Sequence, residues 1–265
     1  MRRFIIGGNW KMQIPHVDNA VKIAKDILNG LVQSSVEVFI APSANALYSV
    51  GKVISNTRLK LGGQNIHYYE MGAFTGQTSI LSLIDAGCSY VLLGHSEPRR
   101  IFGETDDLIN LKVIKALEKG IKPVLCIGES AKEREEGLTT EIIHNQLSKG
   151  LRGLSANQFQ EVIIAYEPVW AINNKFLNPD IEIKPATPEQ ASEAHKSTRD
   201  WIRHKFSNEI AENTPIIYGG SMKASNAKDL LKIEDIDGGL IGGASLSAKT
   251  FLPIIQLAEE QSQKK

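Results

Sequence analysis

The residues able to do chemistry in this sequence recur in one local setting, the end of a short apolar run. Val162-Ile163-Ile164-Ala165-Tyr166 leads to the carboxylate of Glu167, and Pro168 then forces a turn. Leu93-Gly94 leads to His95, Ser96 and Glu97, while Ile5-Ile6-Gly7-Gly8 leads to Asn9 and Lys11. A carboxylate, an imidazole and an ammonium gathered at one mouth suit proton abstraction beside a carbonyl. The base takes the carbon-bound proton, and the donors stabilise the charge that develops on the enediolate oxygen. Gly219-Gly220-Ser221 and Gly242-Gly243 allow close backbone approach, so amides there can hold a phosphate dianion.

Something must bring these run ends together. Eight short runs rich in β-branched residues alternate with charged, helix-like segments: Phe4 to Gly8, Val36 to Ile40, Leu59 to Gly63, Tyr90 to Leu93, Pro123 to Ile127, Val162 to Tyr166, Pro215 to Tyr218 and Gly238 to Ile241. Most are continuously apolar, as strands covered on both faces are. The pattern predicts an α/β fold, a single-domain (β/α)8 barrel, whose chemistry sits at the carboxyl ends of its strands. Helices are legible as well. Asp106 to Lys119 carries apolar residues near helical spacing and stops at Gly120, and Thr187-Pro188-Glu189-Gln190 reads as a capped helix start. The polar tail Glu259 to Lys265 is expected to fray.

Composition limits the function classes. A chain of 265 residues with 30 basic and 30 acidic side chains has no global field to draw it to nucleic acid or an anionic membrane, so an anionic ligand needs a local site. The apolar run after Arg2-Arg3 ends at Gly7, too short for an export signal, and no run is long enough to span a bilayer. Cys88 and Cys126 make no metal-ligand spacing with the histidines, which fits free thiols in a reducing, cytoplasmic setting. Cys126 reads as a packing residue beside the site, as do Trp10 and Trp170. His16, His67, His144, His195 and His204 read as ordinary surface or packing residues.

At its run ends the chain resembles the triosephosphate isomerase family. Gly8-Asn9-Trp10-Lys11, Gly72-Ala73-Phe74-Thr75-Gly76, Leu93-Gly94-His95-Ser96-Glu97, Ala165-Tyr166-Glu167-Pro168-Val169-Trp170-Ala171-Ile172, Tyr218-Gly219-Gly220-Ser221 and Gly242-Gly243-Ala244-Ser245-Leu246 match its signatures in order. The resemblance implies a TIM barrel that interconverts dihydroxyacetone phosphate and glyceraldehyde 3-phosphate, without cofactor or metal. It makes Glu167 the base, His95 a neutral imidazole acting on the substrate oxygens, and Lys11 and Asn9 the donors. Ser221, Gly242 and Gly243 then hold the phosphate. Ser96 and Glu97 orient the catalytic groups, Trp170 moves with the lid and meets Glu129, and Tyr218 braces the closed lid. Thr75 supports Asn9 and Lys11 from a partner subunit, which makes a homodimer the smallest competent unit.

Two stretches depart from that pattern. After Ile172 the lid glycines are absent, and the segment through Asn173 to Ile183 makes the lid about eight residues longer than the family's, in the range where loops are functional or mobile. Asn173 or Asn174, able to adopt a left-handed conformation, is the candidate for the missing tip glycine at the phosphate. Pro98 stands where the family carries Arg and is expected to alter a salt-bridge position, with Arg99 and Arg100 compensating. The competing reading is a non-catalytic or altered-specificity phosphate-ligand-binding barrel with a remodelled lid; joint retention of Asn9, Lys11, His95 and Glu167 weighs against it, because binding alone needs no base.

Overall fold

The structure is a computed structural model and describes residues 2–32, 35–179, 182 and 184–265. Its eight strands are β1 (Ile5–Asn9), β2 (Glu37–Ala41), β3 (Leu59–Gly63), β4 (Cys88–Leu93), β5 (Lys122–Ile127), β6 (Ile163–Tyr166), β7 (Ile216–Tyr218) and β8 (Gly238–Ile241). All neighbours pair in parallel, and β8 pairs with β1 to close the barrel. Every expected run is a strand. The bounds differ at several ends: β1 begins at Ile5 and takes in Asn9, which pairs with Ala41, and β4 begins two residues earlier than Tyr90.

Alternation along the strands sorts the apolar residues into two cores. Ile5, Phe39, Ala41, Tyr90, Leu92, Val124, Cys126, Ile163, Ala165, Ile217 and Leu240 fill the barrel interior. Residues one position away, among them Ile6, Val38, Ile40, Val91, Leu93, Leu125, Ile127, Ile164 and Tyr166, face the helices. Each fully buried aliphatic side chain contributes roughly 1.5–3 kcal/mol, so the two-sided burial that the continuous runs imply is the main cohesive force. Inside the barrel the Phe39 ring stacks on Tyr90 at 4.6 Å. Phe39 has that room because Gly7 lacks a side chain: a Cβ there would stand 2.3 Å from the ring.

The same period of two aims the chemistry. Ile5 and Ala165 point inward, so Asn9 and Glu167, an even number of residues further on, also face the axis at the mouth. Gly219 and Gly242 follow the inward Ile217 and Leu240 by two residues and share that parity.

Helices cover the outer face. Asp106–Glu118 is capped by Thr105 and Pro188–Lys205 by the Thr187–Gln190 capping box, as expected. The tail is a correction. The last helix, Ala248–Ser262, continues through most of Glu259 to Lys265, and the Lys265 ammonium donates to the carbonyls of Ile233 and Ile236. Those carbonyls hold a tail whose composition alone reads as loose.

Candidate active site

Glu167 is almost fully buried where β6 meets the mouth. Its amide donates to the Ile127 carbonyl at 2.7 Å, which continues the β5–β6 ladder one residue past the strand. This close approach depends on Gly128, because a Cβ at that position would stand 1.8 Å from the Glu167 carbonyl oxygen. Across the mouth, His95 Nε2 lies 2.9 Å from Glu167 Oε1, and the Ser96 amide donates to Oε2 at 2.9 Å. Burial pushes the Glu167 carboxyl pKa up, but the pull of His95, the Ser96 amide and the Lys11 charge outweighs it and holds the carboxyl below its usual range.

His95 caps the short helix Ser96–Ile101 through its ring. The Glu97 amide donates to His95 Nδ1 at 3.2 Å, so Nδ1 carries no proton and the ring is the neutral tautomer with its hydrogen on Nε2. That hydrogen points at Glu167. Lys11 stands on the opposite side with φ of 52°, a left-handed backbone, and its amide donates to Asn9 Oδ1 at 3.0 Å. Gln64 secures the turn by donating to the carbonyls of Lys11 and Ala41 at 2.8 and 2.9 Å. The Lys11 ammonium donates to Glu97 Oε1 at 2.9 Å. Glu97 is half-buried, which raises its pKa, yet the charge of Lys11 and further donors bring it below the usual value.

These groups open onto a cavity of about 620 Å³ lined by Asn9, Lys11, His95, Glu167, Ile172, Asn173, Gly219, Ser221, Gly242 and Gly243, among others. Gly219 lies close against Glu167: a Cβ there would approach Glu167 Cγ to 2.7 Å. Gly242 precedes a 3-10 turn, Gly243–Ser245, whose amides start beside the cavity. Lys223 and Lys249 also line it and add positive charge to its wall.

The match to known proteins agrees with this arrangement. The family described as Triosephosphate isomerase matches residues 4–258. A protein of that name from Prosthecochloris aestuarii is 46% identical over 262 residues, covering 98% of this chain and all of the relative. Others named the same, from Chloroherpeton thalassium and Treponema denticola, are each 44% identical, again over 98% of this chain and all of their own length. The chain belongs to the triosephosphate isomerase family.

Other residues singled out by resemblance to the triosephosphate isomerase family are placed as follows. Glu129 is fully buried and accepts from Trp170 Nε1 at 3.0 Å, Tyr166 Oη at 3.1 Å and Arg134 Nη1 at 3.1 Å. Arg134 balances the buried charge and lies over the Trp170 ring at 5.0 Å. Burial raises the Tyr218 phenol pKa, partly offset by the backbone of Ala186 at the far end of the lid. Cys126 lies in the barrel core under Glu167; burial, then that carboxylate, drives its thiol pKa far up, which leaves it a packing group. Thr75 is exposed in the turn Gly72–Gly76, outside the cavity lining. His195 is buried in the core.

The two departures resolve differently. Pro98 occupies the first turn of Ser96–Ile101, where a missing amide hydrogen is tolerated, and its carbonyl accepts from Glu104. Arg99 carries a part-buried pairing by donating to the Gly94 carbonyl at 2.5 Å, Asp106 at 2.5 Å and the Cys126 carbonyl at 3.2 Å, while Arg100 pairs with Glu133. In the lid, Asp180, Ile181 and Ile183 lie outside the described residues. The left-handed expectation for Asn173 and Asn174 fails: among described non-glycine residues only Lys11 and Asn56 have positive φ. Backbone bonds around Asn174 hold the segment in tight turns instead. The sequence offers Asn174 as a lid-tip candidate but not as a donor to Glu97, and Gln64, Arg134 and Asn178 carry no signal in it because each acts through a partner distant in the chain or hidden in an unfamiliar segment.

Proposed function

We propose that this chain interconverts dihydroxyacetone phosphate and glyceraldehyde 3-phosphate through an enediolate, and one observation carries the reading. A buried carboxylate at the end of β6 faces a neutral imidazole at 2.9 Å, with an ammonium beside them, over a glycine-lined cavity. Glu167 removes a proton from one carbon and returns it to the neighbouring carbon. His95 Nε2–H donates to the substrate oxygens, Lys11 and Asn9 offset the negative charge that develops there, and Ser221, Gly242 and Gly243 bind the phosphate through the chain's amides. Glu167 is parked on Ser96 and His95, so it must swing off Ser96 into the cavity when substrate arrives. Asn173, at the cavity wall, is the lid residue that meets the phosphate end. A coupled isomerase assay beside Glu167→Asp tests the assignment: comparable rates for the two proteins would refute it.

The same reading takes residues 1–265 as one barrel domain that works in the cytoplasm on a small phosphorylated substrate, with no nucleic-acid or membrane partner and as a homodimer. Met12, Tyr69, Met71, Phe74, Ile101 and Phe102 are exposed apolar side chains on or beside the loops after β1, β3 and β4. Rings of His67, Tyr69 and Phe74 stack there, an apolar surface of the kind that subunits cover. Thr75 is the residue assigned to reach the partner's site.

A further inference from the structure

The lid departs from the family sequence at Asn173, and its described residues build a unit held by two asparagines. Leu177 and Asn178 amides donate to the Asn174 carbonyl at 3.1 and 2.9 Å, and the Phe176 amide donates to Asn174 Oδ1 at 2.8 Å. Asn178 is buried, and its Nδ2 donates to the carbonyls of Val169 at 2.8 Å and Ile172 at 3.0 Å. The first hinge and the tip are thereby tied together. The Asn174 Nδ2 amide reaches out of this unit and donates to Glu97 Oε1 at 2.8 Å, the oxygen that also takes the Lys11 ammonium at 2.9 Å.

We infer that Asn174 is a positioning residue for the reaction, a latch that fixes the enlarged lid to the Glu97–Lys11 pair and so joins lid position to the placement of the Lys11 ammonium. The inference rests on the isomerase reading for its kinetic consequences. A hydrogen bond to an ionised acceptor is stronger than one between neutral groups. Because Ile172 and Asn173 line the cavity beside Asn174, the latch also sets where the lid backbone meets the phosphate end. Holding the lid matters most while the enediolate exists. If the intermediate is exposed, its electron pair forms a carbon–carbon double bond as the carbon–oxygen bond to phosphate breaks. Inorganic phosphate then leaves with the bonding pair, and the enol product tautomerises to methylglyoxal.

The test compares Asn174→Asp with the wild-type protein. Aspartate keeps an oxygen for the Phe176 amide but sets a carboxylate against Glu97, so the turn survives and the latch does not. At pH 8 the variant should be cut by trypsin after the exposed Lys175 on the order of 10-fold faster, relative to the exposed turn at Arg152, the low end for loss of a hydrogen bond to a charged group. Its kcat/KM should fall by a similar factor, through kcat more than KM, with a larger methylglyoxal share. Wild-type cleavage and kinetics in Asn174→Asp at pH 8, or an unchanged methylglyoxal share, would overturn the latch. If the wild-type protein shows no isomerase activity, the isomerase reading falls, and the cleavage comparison alone still decides the latch.

Discussion

His95 Nε2 and Glu167 Oε1 stand 2.9 Å apart, and the Glu97 amide on His95 Nδ1 makes the imidazole the donor in that pair. In the proposed mechanism this contact is the resting position of the base, and the same Nε2 hydrogen later serves the substrate oxygen. Replacing His95 by Gln keeps a donor near that place but removes a ring able to pass a proton on. Turnover should drop about 10²- to 10⁴-fold, the range for loss of a general acid–base group, with a much smaller change in KM. Steady-state kinetics in both directions check this.

The Glu167 carboxyl is held below its usual pKa of 4.5, so the folded state releases this proton more readily than the unfolded chain. Its contribution to stability is present above pH 4.5 and is lost as pH falls through the depressed folded value. In urea titrations the stability difference between wild type and Glu167→Gln should therefore be constant from pH 8 to 5 and change below about 4.5.

His195 gives the opposite charge case. Burial drives its pKa from 6.5 to about 3, and the unfolded chain accordingly binds a proton that the folded state refuses between those values. Stability must fall as pH drops through that window, with a slope from this residue of up to about 1.4 kcal/mol per pH unit. His195→Gln keeps a donor for the Asp235 carbonyl and does not titrate, so its stability profile between pH 6 and 4 should be shallower by one proton.

Gly128→Ala should disturb base and barrel together. The added Cβ would lie 1.8 Å from the Glu167 carbonyl oxygen, so the end of β6 must shift. A cost of about 1–3 kcal/mol is expected from the overpacking, together with reduced turnover. Thermal unfolding and the isomerase assay measure the two parts.

Met71→Glu tests the proposed subunit contact. A charge on this exposed apolar surface should move the protein from dimer toward monomer in sedimentation equilibrium. Activity should fall with dissociation, since Thr75 would no longer reach its partner.

Continuous β-branched runs made all eight strands legible, because a strand covered on both faces leaves little room for polar residues, and period-two alternation then places Asn9 and Glu167 on one axis. Glu167, His95, Lys11 and Asn9 could be read one by one, since each sits at the end of a recognisable run. Their mutual geometry could not. The His95 tautomer follows from an amide two residues away that folds back onto the ring, and the parked base follows from the approach of β4 to β6 across the barrel mouth. The lid was the least legible part. Asn174 and Asn178 look alike in sequence, yet one reaches Glu97, 77 residues earlier, and the other is buried against the carbonyls of its own hinge. Local composition determined that something polar would turn there; only the packing of the lid against the barrel mouth decided which asparagine faced inward to its own backbone and which faced the catalytic groups, because a side-chain amide takes whichever acceptors the fold brings within about 3 Å.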